Sequence, residues 1–200
     1  MGNTDKFDMI AAQYNTPGRI RMAEVSADAI RAYLVDSQNR TAIDFGCGTG
    51  LVDLNLLEDF RSILFLDASP SMIDQIKRKI SYGDIRNADT LCFDLEKSSL
   101  PDLRADYIIM AQVLLHIKDY NPILLKLYNV LNPGGHLLIV DFDKNEKVVS
   151  DIVHSGFDRE ALTADMLKIG YKNITSKTFI HGSQIFMGQD ASLFLLDAQK

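Results

Sequence analysis

Ten consecutive residues, Thr41 to Gly50, read TAIDFGCGTG, and they restrict this chain more than any other stretch. A branched apolar run ends in Asp44. Three glycines at alternate positions then open a segment with leucines at 51, 54 and 57. Such a strand, turn and helix with no Cβ in the turn lets backbone approach a ligand closely and points free N–H groups at it. The register discriminates among nucleotide sites. A Gly-x-Gly-x-x-Gly site for dinucleotides would place its third glycine at 51, where this chain has Leu51. No Gly-Lys-Ser/Thr follows to hold phosphate and magnesium, which removes a P-loop. A nucleoside without phosphate fits the turn better. Asp67, at the end of the next apolar run and about twenty residues on, is placed to accept ribose hydroxyls.

The same alternation continues along the chain. Strand-like runs occur at Thr41–Phe45, Ser62–Leu66, Thr90–Phe93, Tyr107–Met110 and His136–Phe142. Helical spacing fills the intervals: Leu51, Leu54, Leu57; then Met72, Ile73, Ile76, Ile80; then Ile123, Leu124, Leu127, Val130, Leu131. This order predicts an α/β fold with right-handed crossovers and helices on both faces of a mostly parallel sheet. The ending departs from it. Asp158–Ile169 reads as a helix capped by Asp158 and stopped by Gly170, followed by Asn173–Ile180 and one more run, predicting an antiparallel C-terminal hairpin. Both Ile185–Met187 and Ser192–Leu196 suit the last strand and Gly188 interrupts them; the later run is favoured. Ahead of the first strand, Met9–Ala12 and Ala27–Val35 read as helical pieces joined through a turn at Asn15–Gly18.

With 200 residues, 46% of them apolar, the chain is expected to form a single domain. A net charge of -6 without a Lys/Arg run disfavours nucleic acid as a partner, although a basic patch assembled in three dimensions would escape such a count. Met1–Phe7 carries charge where a secretory segment would be apolar, and Leu137–Val140 is far too short to span a bilayer. The two widely spaced cysteines, Cys47 and Cys92, suggest neither a disulfide framework nor zinc, so a reducing cytoplasmic location and no metal are expected.

Five segments in order, AIDFGCGTG, LFLDASPSMI, LCFDLE, DYIIMAQVLLHI and LNPGGHLLIVDFD, resemble the class I S-adenosylmethionine-dependent methyltransferases. The likeness is strongest to the small group that methylates quinones and other small molecules. FDMIAAQYN near the start is similar to that group's lid helix, whereas the C-terminal third matches only in strand pattern. The resemblance implies a doubly wound, mostly parallel, seven-stranded Rossmann-like sheet in three αβα layers. It divides the single domain into an N-terminal lid (1–37), a cofactor-binding core (38–143) and a C-terminal helix with a strand hairpin (144–200). It also implies S-adenosylmethionine as cofactor and a small-molecule acceptor, with the oligomeric state, monomer or homodimer, left open.

Residue roles follow from the same likeness. Asp44, Gly46, Cys47, Gly48 and Gly50 would cradle the methionine part. Asp67 would take the ribose hydroxyls, with Ala68 beside it and Met72 against the adenine. Asp94, flanked by Phe93 and Leu95, would accept from the adenine amino group, and Gln112 would border the reacting methyl. Tyr14 and Arg19 would close over the pocket. Bland readings stand beside these: Met72 as core, Asp94 as a cap, Tyr14 as a packed aromatic. Methyl transfer needs positioning more than nucleophilic side chains. If the acceptor carries a proton, Tyr14, His116, His154 and His181 are candidate bases, with bracing the favoured role of His116 and a solvated loop that of His154. Two other functions stand beside this one, a cofactor-binding sensor or partner subunit without transferase activity, and a nicotinamide-dependent oxidoreductase.

Overall fold

The computed structural model describes residues 3–94 and 102–200, with side chains from Phe7 onward. Seven strands occur in the order β3-β2-β1-β4-β5-β7-β6. They are β1 (Thr41–Phe45), β2 (Ser62–Asp67), β3 (Ala88–Cys92), β4 (Ala105–Ala111), β5 (Leu131–Phe142), β6 (Lys172–Phe186) and β7 (Gln189–Gln199). The helices are α1 (Asn3–Ile10), α2 (Pro17–Arg31), α3 (Pro70–Tyr82), α4 (Asn121–Val130) and α5 (Arg159–Ile169). This is the doubly wound α/β sheet with an antiparallel C-terminal pair. The backbone divides into two compact units, 1–101 and 102–200.

In the first unit, β1 pairs in parallel with β2, and β2 with β3. Strand β2 is apolar because it has a neighbour on either edge, and β1 is apolar as well; Ala42, Ile43, Phe45, Ile63, Phe65 and Leu66 are all buried. Helix α3 packs on β2 and β3 through Met72, Ile73 and Ile76. Its start is written in Ser69-Pro70: the Ser69 hydroxyl accepts the N–H of Met72 at 3.2 Å, and Pro70 occupies a first-turn position whose missing N–H costs nothing. Helix α2 begins the same way at Thr16-Pro17. It extends from Pro17 to Arg31, so the expected helical piece at Ala27–Val35 is the end of a longer helix that starts ten residues earlier.

One expectation fails here. The leucine-spaced segment after the glycine turn is a 3-10 helix, Asp53–Asp59, in place of an α-helix starting near Leu51. Its inward side is Asp53, Leu56 and Phe60, all buried, so a carboxylate sits on the apolar stripe.

In the second unit, β4 and β5 are parallel, whereas β5–β7 and β7–β6 are antiparallel. Strand β5 begins at Leu131, earlier than the expected His136. Its backbone there comes close to β4: a Cβ on Gly135 would lie 2.8 Å from the carbonyl oxygen of Asp106. Helix α5 has the predicted ends, with Asp158 accepting the N–H groups of Glu160 and Ala161 and Gly170 left-handed at φ 119°. The hairpin absorbs both candidate last runs. Ile185 and Phe186 close β6, Ser192–Leu196 lies inside β7, and Met187 and Gly188, at φ 49° and 76°, form the turn between them. Gly188 therefore connects the two runs; it does not interrupt a strand.

Candidate functional site

The site is built where β1 runs into the glycine turn. Gly46, Gly48 and Gly50 have φ of 72°, 52° and 74°, so all three occupy the left-handed region that glycine enters without penalty. The turn is fastened to β2 on both sides. Gly46 and Cys47 donate to the carbonyl of Leu66 at 2.8 and 3.1 Å, and the N–H of Gly48 donates to Asp67 Oδ2 at 2.8 Å. The other carboxylate oxygen, Oδ1, accepts the N–H of Ser69 at 2.8 Å. Two backbone donors thus orient Asp67 at the end of β2, and each of its oxygens keeps a lone pair for a further donor. Burial raises the Asp67 carboxyl above the ordinary carboxylate range, opposed by these backbone hydrogen bonds.

The N-terminal segment covers this turn. The Thr49 hydroxyl donates to Asn15 Oδ1 at 2.6 Å. A Cβ on Gly48 would meet nothing nearer than the Tyr14 ring, at 4.0 Å. Arg19 stacks its guanidinium 4.2 Å from the centre of that ring and donates to the Tyr14 carbonyl at 3.0 Å. Burial raises the Tyr14 hydroxyl pKa, with the Arg19 charge lowering it and Asp67 raising it. Farther out, Asp8 on α1 accepts from the Ser69 hydroxyl and, at 3.1 Å, from the N–H of Ser71. The structure thus places the Tyr14 ring beside Gly48, with Arg19 stacked on that ring.

Beneath the turn lie two more carboxyls. Asp44 and Asp53 are 3% and 0% exposed. Burial drives the Asp44 pKa well above the ordinary value, reinforced by Asp53 beside it; burial likewise lifts Asp53 to about 7. The thiol of Cys47 is pushed well up, first by burial and then by Asp44. It is therefore a neutral packing group and no nucleophile at ordinary pH. From the α3 side, Lys79 sends its ammonium to the Thr49 carbonyl at 2.6 Å. Asp53, Asp8, Ser69, Asn15 and Lys79 were not singled out from sequence. Only Asp53 carried a legible signal, its three- and seven-residue spacing to Leu56 and Phe60.

The remaining candidates of this unit are spread. Ala68 follows Asp67 and is half-buried, as are Phe93 and Asp94 just beyond β3. Phe93 donates its N–H to the Asp67 carbonyl at 2.9 Å. Met72 is 1% exposed, a core position. Leu95 lies outside the described residues.

Gln112, His116, His154 and His181 belong to the second unit. Gln112 stands just past β4 at φ 57°, its N–H donating to Val140 at 2.7 Å. His116 ends a 3-10 turn, Leu114–His116, that is held from below: Asp141 Oδ2 accepts the N–H of Leu115 at 3.1 Å. His154 is half-buried and braced. Its Nε2 is 2.8 Å from the Ile117 carbonyl, its N–H donates to Leu115 at 2.8 Å, and its ring packs on Tyr120 and Phe157. A carbonyl accepts only, so Nε2 carries a proton. The expected solvated loop histidine is instead tied down by this packing. His181 is exposed and bonded to Ser192. Among the described residues there is no metal-binding cluster of His, Cys, Asp and Glu, and no helix is long and apolar enough to cross a membrane.

A parallel sheet with three left-handed glycines after its first strand and a carboxylate answering them from its second defines a nucleoside-binding domain of the Rossmann-like kind. Comparison narrows the class. The methyltransferase domain family matches residues 43–139. The probable polyketide synthase 41 of Dictyostelium discoideum is 27% identical over 209 aligned positions, covering 90% of this chain and 8% of that protein. The demethylmenaquinone methyltransferase of Listeria monocytogenes serotype 4a is 28% identical over 102 residues, 50% of this chain and 43% of that one. The chain thus spans less than half the length of either relative. In fold it is similar to a possible histamine N-methyltransferase from Thermotoga maritima, with a TM-score of 0.74 at 16% identity, covering 98% of this chain and 99% of that one. Residues 43–139 thus match the methyltransferase domain family, and the chain shares its fold with solved S-adenosylmethionine-dependent methyltransferases.

Proposed function

We propose that the chain binds S-adenosylmethionine across the glycine turn of its first unit and transfers the methyl group to a small organic acceptor. The observation that carries this reading is the Gly48 N–H bound to Asp67 Oδ2 within a turn of three left-handed glycines. The residues suit the cofactor's chemistry. The turn leaves a cradle without side chains, Asp67 presents lone pairs to ribose hydroxyls, and Asp44 and Asp53 supply negative charge for a donor that carries an ammonium and a sulfonium. Among the described residues Lys79, the cation beside the turn, is engaged with the Thr49 carbonyl.

When bound, the donor supplies an activated methyl group. The protein's share is to hold and orient: Gly46, Cys47, Gly48 and Gly50 on the methionine side, Asp67 and Ala68 at the ribose, Phe93 and Asp94 toward the base. Tyr14 and Arg19 exclude water above the turn. Met72, as a core residue, would serve the adenine side only from beneath. The family resemblance assigns Gln112 to the neighbourhood of the methyl and offers Tyr14, His116 and His154 for proton removal from the acceptor. Names of relatives, a demethylmenaquinone methyltransferase among them, favour a small molecule as acceptor.

Calorimetry with S-adenosylmethionine, S-adenosylhomocysteine and NAD tests the donor. Binding of NAD alone would overturn it. S-adenosylhomocysteine formation in a metabolite extract, above that of protein alone, tests transfer; donor binding with no such formation would leave a sensor or partner subunit as the function.

A further inference from the structure

Asp44 and Asp53 form a closed acidic pocket under the glycine turn. Asp53 lies on the 3-10 segment with no exposed surface, and neither of its oxygens receives a hydrogen bond from an N–H or hydroxyl among the described residues. The group within hydrogen-bonding reach is the carboxyl of Asp44. Two carboxyls bond to each other only if a proton is held between them, so at least one proton stays on the pair in the empty protein near neutral pH.

Among the described residues the surroundings supply no neutralising cation. From β2, the nearest charge is Asp67, of the same sign. From the turn comes Cys47, kept neutral. From α3, Lys79 is committed to the Thr49 carbonyl, and from the N-terminal segment Arg19 lies on Tyr14. From α2, Arg31 binds Asp28, Asp59 and the Asn55 carbonyl, on the far side of the same 3-10 segment. Among the described residues nothing in place favours ionising both carboxyls below about pH 7. An entering cation would.

Resting on the donor reading above, we infer that Asp53, acting through Asp44, is a positioning residue for the donor's ammonium group, and that the pair releases its shared proton when that group binds. The O–H bond of the shared proton breaks, the proton passes to solvent, and the Asp44 carboxylate, with Asp53 behind it, meets the ammonium. No redox step or further reactant is involved. Burial that sets Asp53 near pH 7 places the exchange in a range open to measurement. Below about pH 7 each unit of added acidity then lowers donor affinity by up to about tenfold.

The test is calorimetry with S-adenosylhomocysteine in buffers of different ionisation enthalpy, which counts protons. The ligand keeps the ammonium and lacks the sulfonium. About one proton should leave per ligand at pH 6 and close to none at pH 9. Methylthioadenosine, which lacks the ammonium, should release none. Asp53→Asn should still bind S-adenosylhomocysteine but lose the proton release and flatten the pH dependence; Asp53→Ser repeats the test if the amide fails to fold. Binding to the native chain without proton release, or equal release by either variant, would overturn the inference while leaving the donor reading intact. No binding at any pH would overturn both.

Discussion

Asp67 Oδ2 and the backbone N–H of Gly48 lie 2.8 Å apart, nineteen positions distant in sequence, and this bond ties the end of β2 to the glycine turn after β1. It orients the carboxylate and shapes the turn at once. A change to either residue therefore reaches the donor site through the other.

Asp67→Ala should weaken S-adenosylmethionine binding by about 1 to 3 kcal/mol, the cost of a lost buried hydrogen-bond partner, while the chain stays folded. Calorimetry measures the first quantity and thermal unfolding the second. Unchanged affinity would contradict the ribose assignment.

Gly48→Val acts through conformation more than through crowding by the protein. A Cβ there has the Tyr14 ring 4.0 Å away, which is ordinary contact, but φ is 52°. A branched residue in that region costs about 1 to 2 kcal/mol, and its methyls enter the cradle. The expected result is a lowered melting temperature together with loss of donor binding; retained affinity would refute the turn as cradle.

Asp141 tests the second unit. It is fully buried, and its oxygens accept the N–H groups of Phe142 at 2.8 Å and Leu115 at 3.1 Å. Asparagine would turn its amide N–H groups toward one of these donors, so Asp141→Asn should destabilise by about 1 to 3 kcal/mol in urea unfolding at pH 8. Burial raises this carboxyl to about 7. A raised pKa means the folded chain prefers the neutral acid, so the contribution is full below the ordinary carboxylate value and is lost as pH rises through about 7. The native chain should therefore lose stability between pH 4 and 7, and the variant should lose less over that range.

Asp8 has the opposite sign. The Ser69 hydroxyl bonded to it holds its carboxyl below the ordinary range, so its contribution is present above that range and fades as pH falls through the lowered value. Asp8 is half-buried at the N-terminal edge of the unit, and the effect is local. Asp8→Ala should speed amide exchange in α1 and leave exchange in β1 and β2 unchanged; equal protection in α1 would show that the contact to Ser69 and Ser71 does not hold the helix.

The elements that could be read in advance were those with a local signature. Ser69-Pro70 marks a helix start because one side chain and one ring satisfy the first turn by themselves. Gly170 marks a stop for a similarly local reason. Asp158–Ile169 was therefore placed at both ends. The segment after Gly50 was misread because leucines three apart suit a 3-10 helix as well as an α-helix, and periodicity alone does not separate them over seven residues. Gly188 was misjudged because a glycine inside a strand and a glycine in a two-residue hairpin look alike until the pairing is known.

The sequence by itself determined the alternation of strands and helices and the glycine turn with its answering carboxylate, since periodicity and left-handed glycines are properties of neighbouring residues. Only the tertiary structure decided that Asp53 is buried with Asp44, that Asp8 reaches Ser69 sixty-one positions away, and that His154 is pinned by Ile117. Burial and pairing arise when distant segments exclude water from each other, and no local pattern encodes which segments will meet.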